Sequence, residues 1–358
     1  MARIIYAVAG EGFGHSSRAH LIGQRFLDAG HEIMFVASQK ALLYLRQYFG
    51  PRVQEISGLS FAYRDGNVDS VGTVAKNVAA FPRASRHNRA LFEQVYKPFR
   101  PDLVMTDFEP FSGWWAWRHR VPYLSIDNEH LLAVCKLEHR FRDIVPRLTA
   151  TTVIKSYYVG AASYVVINFF KAPLRSNSAV LVPPVVRPHV TALAASNAGH
   201  ILVYSTTGTR QDALCHVLHR FSDRRFHVYG FDEYARVKNC TFKERSTEGF
   251  LADLASASGV VASAGFSLMS ECMHLRKKML LLPLAGQYEQ IINARYAERL
   301  GLGIWSKRLN EAALSRFLEG IDEPVPHDQR ILWPDNEAFF AGLQDVLSRL
   351  ENPVSIAI

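Results

Sequence analysis

The sequence predicts an α/β protein made of two Rossmann-like, doubly wound domains that face a cleft. Two observations lead to this prediction. Short apolar segments alternate with helical patterns along the chain, and the alternation starts again after a stretch rich in proline and small residues. The predicted domains are 1–180 and 200–335, with a linker at 181–199 and a C-terminal helix and tail at 336–358. The 358 residues, 48% of them hydrophobic, suffice for two ordinary cores.

In the first domain, each apolar segment runs into a polar turn and then into a helical pattern. Strands are predicted at 3–9, 32–37, 53–57, 102–106, 122–126 and 164–168. Helices are predicted up to Ala29, at 40–49 and within 68–96. Strands that alternate with helices are usually parallel, so we expect a parallel sheet with helices on both faces.

The second domain repeats this alternation with shorter segments. Strands are predicted at 200–205, 226–229, 260–262 and 279–282, and helices at 211–221, 250–256, 266–275, from 287 onward and at 336–350. The stretch 259–293 therefore has the order strand, glycine turn, helix, strand, loop, helix. This order is typical of one half of a nucleotide-binding α/β fold.

Composition and charge limit the possible partners. A net charge of +8 favours an anionic partner, but no nucleic-acid-binding motif or basic run is present, so we expect no nucleic acid.

Four scattered cysteines without C-x-x-C spacing predict free thiols in the cytoplasm. No apolar run approaches the roughly 20 residues of a membrane span. The chain begins with a strand, so we expect no signal peptide. The 14 histidines show no H-E-x-x-H pair, so no metal site is expected.

The stretch 259–293 offers groups that match successive parts of a nucleotide sugar. The small-residue turn at 263–265 precedes a helix, whose first N–H groups can bind a diphosphate. Glu271, one turn into that helix, can chelate a ribose 2′,3′-diol. Glu289 and Gln290 open the next helix and offer polar groups to sugar hydroxyls.

The glycine turn after the first strand suggests a catalytic base rather than a dinucleotide site. Gly10, Gly12 and Gly14 are followed by His15, which stands where the G-x-G-x-x-G fingerprint needs its third glycine. No acid ends the second strand either, since 37–39 reads Ala-Ser-Gln. A histidine at the carboxyl end of a parallel strand points to where ligands bind, and its pKa suits proton abstraction. The alternative is a tight turn with a capped helix.

A carboxylate that orients His15 should lie at the end of a neighbouring strand. Asp107 is the first candidate, and Glu109 and Asp127 rank after it. Glu129 and His130 stand at the same strand end as Asp127, and Glu109, Asp127 and His130 are candidates on the acceptor side. Each of these acids could instead be an ordinary strand-end or helix-capping residue.

These residues resemble a known group of enzymes. The two-domain plan, the G-x-G-H turn and the donor stretch are similar to glycosyltransferases of the GT-B fold, in particular macrolide and UDP-glycosyl transferases and MurG-like proteins. The motif that carries the resemblance consists of Gly265, Ser267, Glu271, Pro283, Glu289, Gln290 and Asn293-Ala294. The resemblance is most specific in the second half of the chain, and it implies a C-terminal helix that crosses back to the first domain.

The resemblance also implies roles for individual residues. It makes His15 the general base and Asp107 its partner. It implies a donor site made of Gly14, Thr206, Thr207, Gly208, Phe250, Leu251, Ser263, Gly265, Phe266, Ser267, Glu271, Gln287, Glu289 and Gln290. Three departures from the family pattern stand in this site: Ser263 replaces a frequent histidine, Phe266 replaces a polar residue or Trp, and the loop with Gln287 is longer than in the macrolide branch.

The function predicted from the sequence is inverting transfer of a hexose-type sugar from a nucleotide diphosphate sugar, expected to be a UDP-sugar, without metal or cofactor. The acceptor is a hydroxyl of a lipid, a glycan or a small molecule. The alternatives are a nucleotide-sugar 2-epimerase of the same fold and a non-catalytic nucleotide-sugar-binding protein.

A mixture of aromatic and basic residues in the first domain suggests peripheral contact with an anionic membrane at its cytoplasmic face, around a lipid-linked acceptor. These residues are Phe81, Arg83, Arg86, Arg89, Phe92, Trp114, Trp115, Trp117 and Arg118. The alternative is a set of helix residues divided between core and solvent.

Overall fold

A computed structural model of the chain describes residues 1–64, 67–205, 211–232, 234–244, 246–350 and 356–358, without the side chains of 63–68, 70 and 71. The chain divides into two compact units. The first unit comprises Met1–Ala62, Ser70–Arg187 and Asp335–Ile358, and the second comprises Tyr63–Asp69 and Pro188–Pro334. The division after Arg187 lies inside the segment 181–199.

Strands and helices alternate along both units. The strands are β1 (Arg3–Val8), β2 (Glu32–Ala37), β3 (Val53–Glu55), β4 (Tyr63–Arg64), β5 (Asn67–Val68), β6 (Leu103–Asp107), β7 (Tyr123–Asp127), β8 (Ser163–Ile167), β9 (Ala179–Val182), β10 (His200–Tyr204), β11 (Arg225–Tyr229), β12 (Arg236–Val237), β13 (Cys240–Phe242), β14 (Gly259–Ala262), β15 (Lys278–Leu281) and β16 (Gly303–Trp305). The helices are α1 (Phe13–Asp28), α2 (Gln39–Phe49), α3 (Ser70–Leu91), α4 (Lys97–Phe99), α5 (Pro110–His119), α6 (Leu131–Val134), α7 (Ile144–Tyr157), α8 (Pro188–Thr191), α9 (Gln211–Leu218), α10 (Thr247–Ser256), α11 (Phe266–His274), α12 (Tyr288–Arg299), α13 (Glu311–Glu319) and α14 (Asn336–Ser348).

The first unit is built on a parallel sheet with the order β3-β2-β1-β6-β7-β8-β9. Its central strands β1, β6 and β7 are buried along almost their whole length, which is why they read as continuous apolar runs. The register pairs Val8 of β1 with Ala37 on one side and with Asp107 on the other. The carboxyl ends of these strands therefore lie together at one edge of the sheet.

Helices cover both faces of this sheet. Gly23 of α1 lies against Phe35 of β2, where an added Cβ would come within 2.2 Å of the phenyl ring. The opposite face packs against α3 and α5, since Leu91 and Trp115 share a core cluster with Ile5, Ala7 and other residues of the sheet. The strand order changes direction at β1, and right-handed crossovers on either side of that point place helices on opposite faces.

The C-terminal helix rejoins the first unit, as predicted. Helix α14 packs against β8 and β9, and Gly342 lies so close to Val182 that an added Cβ would approach its side chain to 2.6 Å. Arg25 of α1 lies 5.1 Å from the ring centroid of Phe340. Strand β9 was not predicted, because its four residues lie within a region rich in proline and small residues, which is typical of a linker.

The second unit repeats the architecture, which confirms the predicted fold class of two doubly wound α/β sheets. Its large sheet has the order β12-β13-β11-β10-β14-β15-β16, and all pairs are parallel except β12 with β13. Leu202, Val260 and Leu280 are almost fully buried in the central strands. The short β12, β13 and β16 escaped prediction because two or three residues give no measurable periodicity.

The remaining sequence expectations concern thiols and membrane spans. All four cysteines lie within the described residues and are free thiols, and Cys135, Cys240 and Cys272 are buried. Among the described helices, none combines the length and the apolarity that a membrane span requires.

Candidate functional site

The candidate base lies where the chain leaves β1 in the first unit. The turn needs glycine: an added Cβ at Gly10 would come within 2.3 Å of Ser38 Oγ, and Gly12 has φ +85°. Helix α1 begins at Phe13, so His15 lies in the first helical turn rather than on the glycine turn itself. Gly14 precedes His15 in this helical turn and is half-buried.

The structure brings His15 and Asp107 together. The Nδ1 atom of His15 is 2.6 Å from Oδ1 of Asp107, whose side chain is fully buried at the end of β6. The backbone holds the two segments in place, because the Ala9 N–H donates to the Asp107 carbonyl at 2.8 Å. Since a carboxylate only accepts hydrogen bonds, Nδ1 carries the proton and Nε2 carries the lone pair.

Arg18 is a third member of this cluster, and the sequence analysis assigned it no role. Its Nε donates to Oδ2 of Asp107 at 2.7 Å and its Nη2 donates to Oδ1 at 2.6 Å, a bidentate pair with both partners buried. Arg18 follows His15 by three residues in α1, so both side chains lie on one face of the helix. This spacing was visible in the sequence and could have identified Arg18.

The pKa values of the pair follow from these contacts. Burial alone would lower the pKa of His15, but the charge of Asp107 and its hydrogen bond outweigh burial and raise that pKa above its usual value. Burial would raise the pKa of Asp107, but Arg18 and then His15 outweigh burial and lower it. Asp107 is therefore an ionised carboxylate, and His15 gains proton affinity from it.

Two further side chains surround His15. The Phe108 ring lies 5.9 Å from the imidazole at an interplanar angle of 17°, and Phe108 has φ +54°, an unfavourable conformation for a bulky residue. Glu129 Oε1 lies 3.8 Å from His15 Nε2, and Glu129 Oε2 is buried without a hydrogen bond to any described residue. Burial raises the pKa of Glu129 despite the opposing influence of His15. From the sequence, Glu129 was noted at the same strand end as Asp127 but was not ranked as a partner of His15.

The three acceptor-side candidates are buried. Glu109 is the N-cap of α5, and its two oxygens accept from Phe111 N and Ser112 N, each at 2.9 Å. Asp127 is fully buried and accepts from Tyr158 Oη at 2.9 Å and from the His130 N–H at 2.8 Å. Burial raises the pKa of Asp127 to about 7 and lowers that of His130 to about 3. These contacts give all three residues structural partners within the first unit.

The candidate phosphate site lies in the second unit, between β14 and α11. Gly265 precedes the helix with φ −71°, and no side chain caps the first turn. The N–H groups of the first turn of a helix point outward from its N-terminus and can bind an anion, and in α11 this turn begins at Phe266 and Ser267. Ser263 and Ser267 are half-buried beside this turn, and Glu271 lies one turn further along with 6% of its surface exposed.

The loop before α12 is organised by its own polar residues. Gln290 accepts from the Leu284 N–H at 3.0 Å, and its amide donates to Gln287. The Asn293 amide donates to Glu289 and, at 3.3 Å, to the Ala264 carbonyl in the turn before α11. The predicted donor-site residues Gln287, Glu289 and Gln290 thus belong to a hydrogen-bonded loop that contacts this turn through Asn293.

The other predicted donor residues divide into two groups. Phe250 packs edge-on against Tyr204 and Tyr229, while Leu251 is buried in α10. Thr206, Thr207 and Gly208 lie outside the described residues.

One group of described residues lies close enough to share a metal ion: His200, His227 and Asp253 in the second unit. Lys243 Nζ is 2.8 Å from Asp253 Oδ2, and Tyr229 Oη donates to the same oxygen at 2.6 Å. An ammonium group at this distance repels a divalent cation, so we regard the group as a structural network.

Comparisons with known proteins agree with this architecture. An uncharacterized glycosyltransferase of Methanosarcina acetivorans is 29% identical over 130 residues, which cover 36% of this chain and 33% of that protein. The match thus spans about a third of that relative's length.

Solved structures with low sequence identity share the fold. The glycotransferase of kitacinnamycin is 14% identical, with 90% of this chain and 91% of that chain covered and a TM-score of 0.64. Arabidopsis thaliana UGT89C1 in complex with UDP is 15% identical, with the same coverage and a TM-score of 0.58. These neighbours identify the fold as GT-B.

A family model described as Glycosyl transferase family 1 matches residues 2–322, which is most of the chain. The protein therefore belongs to Glycosyl transferase family 1.

Proposed function

We propose that this protein transfers a hexose-type sugar from a UDP-sugar to a hydroxyl group of an acceptor, with inversion at the anomeric carbon. The first unit supplies the base, and the second unit binds the donor. Family membership supports glycosyl transfer in general, and the presence of UDP in the related UGT89C1 structure favours a uridine nucleotide.

The observation that carries the proposal is the 2.6 Å contact between His15 Nδ1 and Asp107 Oδ1. This contact directs the lone pair of Nε2 away from Asp107 and stabilises the imidazolium ion that forms when Nε2 takes a proton. A nucleotide-sugar-binding protein without activity would not need an imidazole that a buried carboxylate orients for proton transfer. A 2-epimerase would need acids and bases around the sugar C2, which we do not find among the described residues.

The proposed reaction is a single displacement. The acceptor oxygen attacks the anomeric carbon while its proton passes to Nε2 of His15, and the bond from that carbon to the β-phosphate oxygen breaks. UDP leaves with the bonding electrons. Because attack and departure occur on opposite faces of the sugar, the product has the inverted anomeric configuration.

The N-terminus of α11 is the proposed stabiliser of the leaving diphosphate. Its first-turn N–H groups lack a side-chain cap and carry the positive end of the helix dipole. Charge that develops on the diphosphate would be balanced by these groups, and the proposed reaction therefore needs neither a metal ion nor another cofactor.

We further propose that the acceptor is lipid-linked and that α3 contacts an anionic membrane. Val74, Val78 and Phe81 of α3 are 63%, 67% and 58% exposed and recur at helical spacing. The sequence of this helix contains Lys76 and three arginines but no acid. Two aromatic residues expected at this surface are instead in the core, because Trp115 is 6% exposed and Phe92 packs against the same cluster.

A second exposed apolar stripe in the same unit runs from the short turn at 141–143 into α7. Phe141, Ile144, Val145 and Leu148 are 92%, 47%, 69% and 56% exposed, and arginines stand at positions 140, 142 and 147. Helix α3 and the segment 140–148 thus both combine apolar side chains with positive charge, which suits a surface of anionic lipid.

The substitution His15→Ala is expected to lower turnover by about 10²- to 10⁴-fold, the usual contribution of a general base. The affinity for UDP should change little, because His15 lies in the first unit and the proposed phosphate site in the second. Initial rates of UDP release and calorimetric UDP binding measure the two effects. His20→Ala, a change of the same kind in the same helix, is the control. Turnover of His15→Ala near the level of the control would refute the role of the base.

The role of Glu271 can be tested with a nucleotide that lacks one ribose hydroxyl. Wild-type protein should bind UDP about 10- to 100-fold more tightly than 2′-deoxy-UDP, since a hydrogen bond to a charged group contributes roughly 1.5–3 kcal/mol. In Glu271→Gln this preference should largely disappear. Calorimetry of the four combinations gives the coupling energy. An equal preference in both proteins would contradict ribose binding by Glu271.

Membrane contact is tested by co-sedimentation with phosphatidylcholine vesicles that contain or lack phosphatidylglycerol. The protein should bind only the anionic vesicles, and binding should weaken with added salt. The double change Val78→Glu and Phe81→Glu should abolish binding. Leu43→Glu places a similar charge at an exposed apolar position of α2, on the other face of the sheet, and should bind as wild type. Binding that is independent of anionic lipid would contradict the proposed contact between α3 and an anionic membrane.

A further inference from the structure

We propose that Arg18 is a positioning residue for the base: it clamps the carboxylate of Asp107 and keeps His15 neutral at the pH where His15 must accept a proton. This inference rests on the proposed role of His15. It assigns to Arg18 a function in the reaction that does not require contact with either substrate.

The geometry of the clamp fixes both oxygens of Asp107. The planar guanidinium group binds Oδ2 through Nε and Oδ1 through Nη2, and His15 Nδ1 shares Oδ1. A carboxylate held at both oxygens cannot rotate away from the imidazole. The orientation of the His15 ring, and hence the direction of its Nε2 lone pair, therefore depends on Arg18.

The charges around the pair explain why a cation is needed. Three carboxyl groups, those of Asp107, Asp127 and Glu129, influence the protonation of this site. The titratable groups that face His15 and Asp107 are Arg18 on α1, Tyr6 on β1, Asp127 at the end of β7, Glu129 and His130 after β7, and Tyr158 after α7. Among these groups Arg18 is the permanent cation, since burial lowers the pKa of His130 to about 3.

Removal of Arg18 should therefore attract a proton to the site. Burial penalises unpaired carboxylates, and without the guanidinium the nearest group that can neutralise Asp107 is the imidazolium form of His15. Arg18 is also one of the groups that lower the pKa of His15, in opposition to Asp107 and Glu129. An imidazole that is already protonated cannot act as a base.

Asp107 and Arg18 thus act on His15 in opposite directions. Asp107 stabilises the imidazolium ion that forms during the reaction, and Arg18 limits this stabilisation so that His15 is not already protonated before the acceptor binds. Because His15 and Arg18 lie in one helix, both effects depend on the position of α1 relative to Asp107 at the end of β6.

The test compares proton uptake by His15 in wild type, Arg18→Gln and Arg25→Gln, measured by NMR titration of the imidazole. Arg25 is the matched control, because it lies on the same helix and pairs with Glu337 at 3.5 Å, away from the base. Loss of a positive charge beside the His15–Asp107 pair raises its proton affinity, so Arg18→Gln should take up the proton at higher pH than wild type. Arg25→Gln should titrate as wild type. A titration of Arg18→Gln at the wild-type pH, or at lower pH, overturns the proposal.

Arg18→Lys separates the charge from the clamp and remains useful if Arg18→Gln does not fold. The ammonium group retains the positive charge, so His15 should titrate close to its wild-type pH. The bidentate contact is lost, and turnover should fall by about 10²-fold through misorientation of the base. Full turnover in Arg18→Lys would overturn the positioning role. The titrations need no substrate, so they test the effect of Arg18 on the protonation of His15 even if His15→Ala shows that His15 is not the base.

Discussion

A buried carboxylate at the carboxyl end of β6 is the constraint on which the first unit depends. Asp107 is fully buried and ionised, a state that costs several kcal/mol unless partners compensate it. Its partners, His15 and Arg18, come from a single helical turn. They reach Asp107 because β1 pairs with β6 in a register that aligns Val8 with Asp107, and the chain then turns at once into α1.

The second unit has a similar sheet but different residues at the corresponding edge. In the first unit, acidic side chains gather at the ends of β6 and β7, and they favour a protonatable base. In the second unit, β14 ends in small residues, and the turn leads to a helix whose first N–H groups have no side-chain cap. Ligands of parallel α/β sheets generally bind at the edge formed by the carboxyl ends of the strands. The residues that follow each strand decide whether this edge carries a group that takes up a proton or a turn that binds an anion.

The sequence allowed the fold class and the pairing of His15 with Asp107 to be anticipated, since both residues follow strands that were readable as apolar runs. Strand ends alone do not identify Arg18, because it lies inside α1, although its spacing from His15 places it on the same helical face. Asp107 and Glu109 are both acids at or just after the end of β6, so the sequence does not distinguish their roles. The structure shows that Glu109 caps α5. The sequence likewise does not distinguish Trp115 from a surface residue. In the structure, Trp115 of α5 packs into the core beside the sheet. The short strands β9, β12, β13 and β16 form because they pair with neighbouring strands of the sheets. Their own sequences are too short to show a strand pattern.

The central claim is that a base in the first unit drives a single displacement at the anomeric carbon of a donor bound by the second unit. The most direct measurement is the configuration of the sugar that is first released when the protein hydrolyses an α-linked UDP-hexose, followed by proton NMR before mutarotation. The β-anomer should appear first if water takes the place of the acceptor in an inverting displacement. Initial release of the α-anomer would contradict the account.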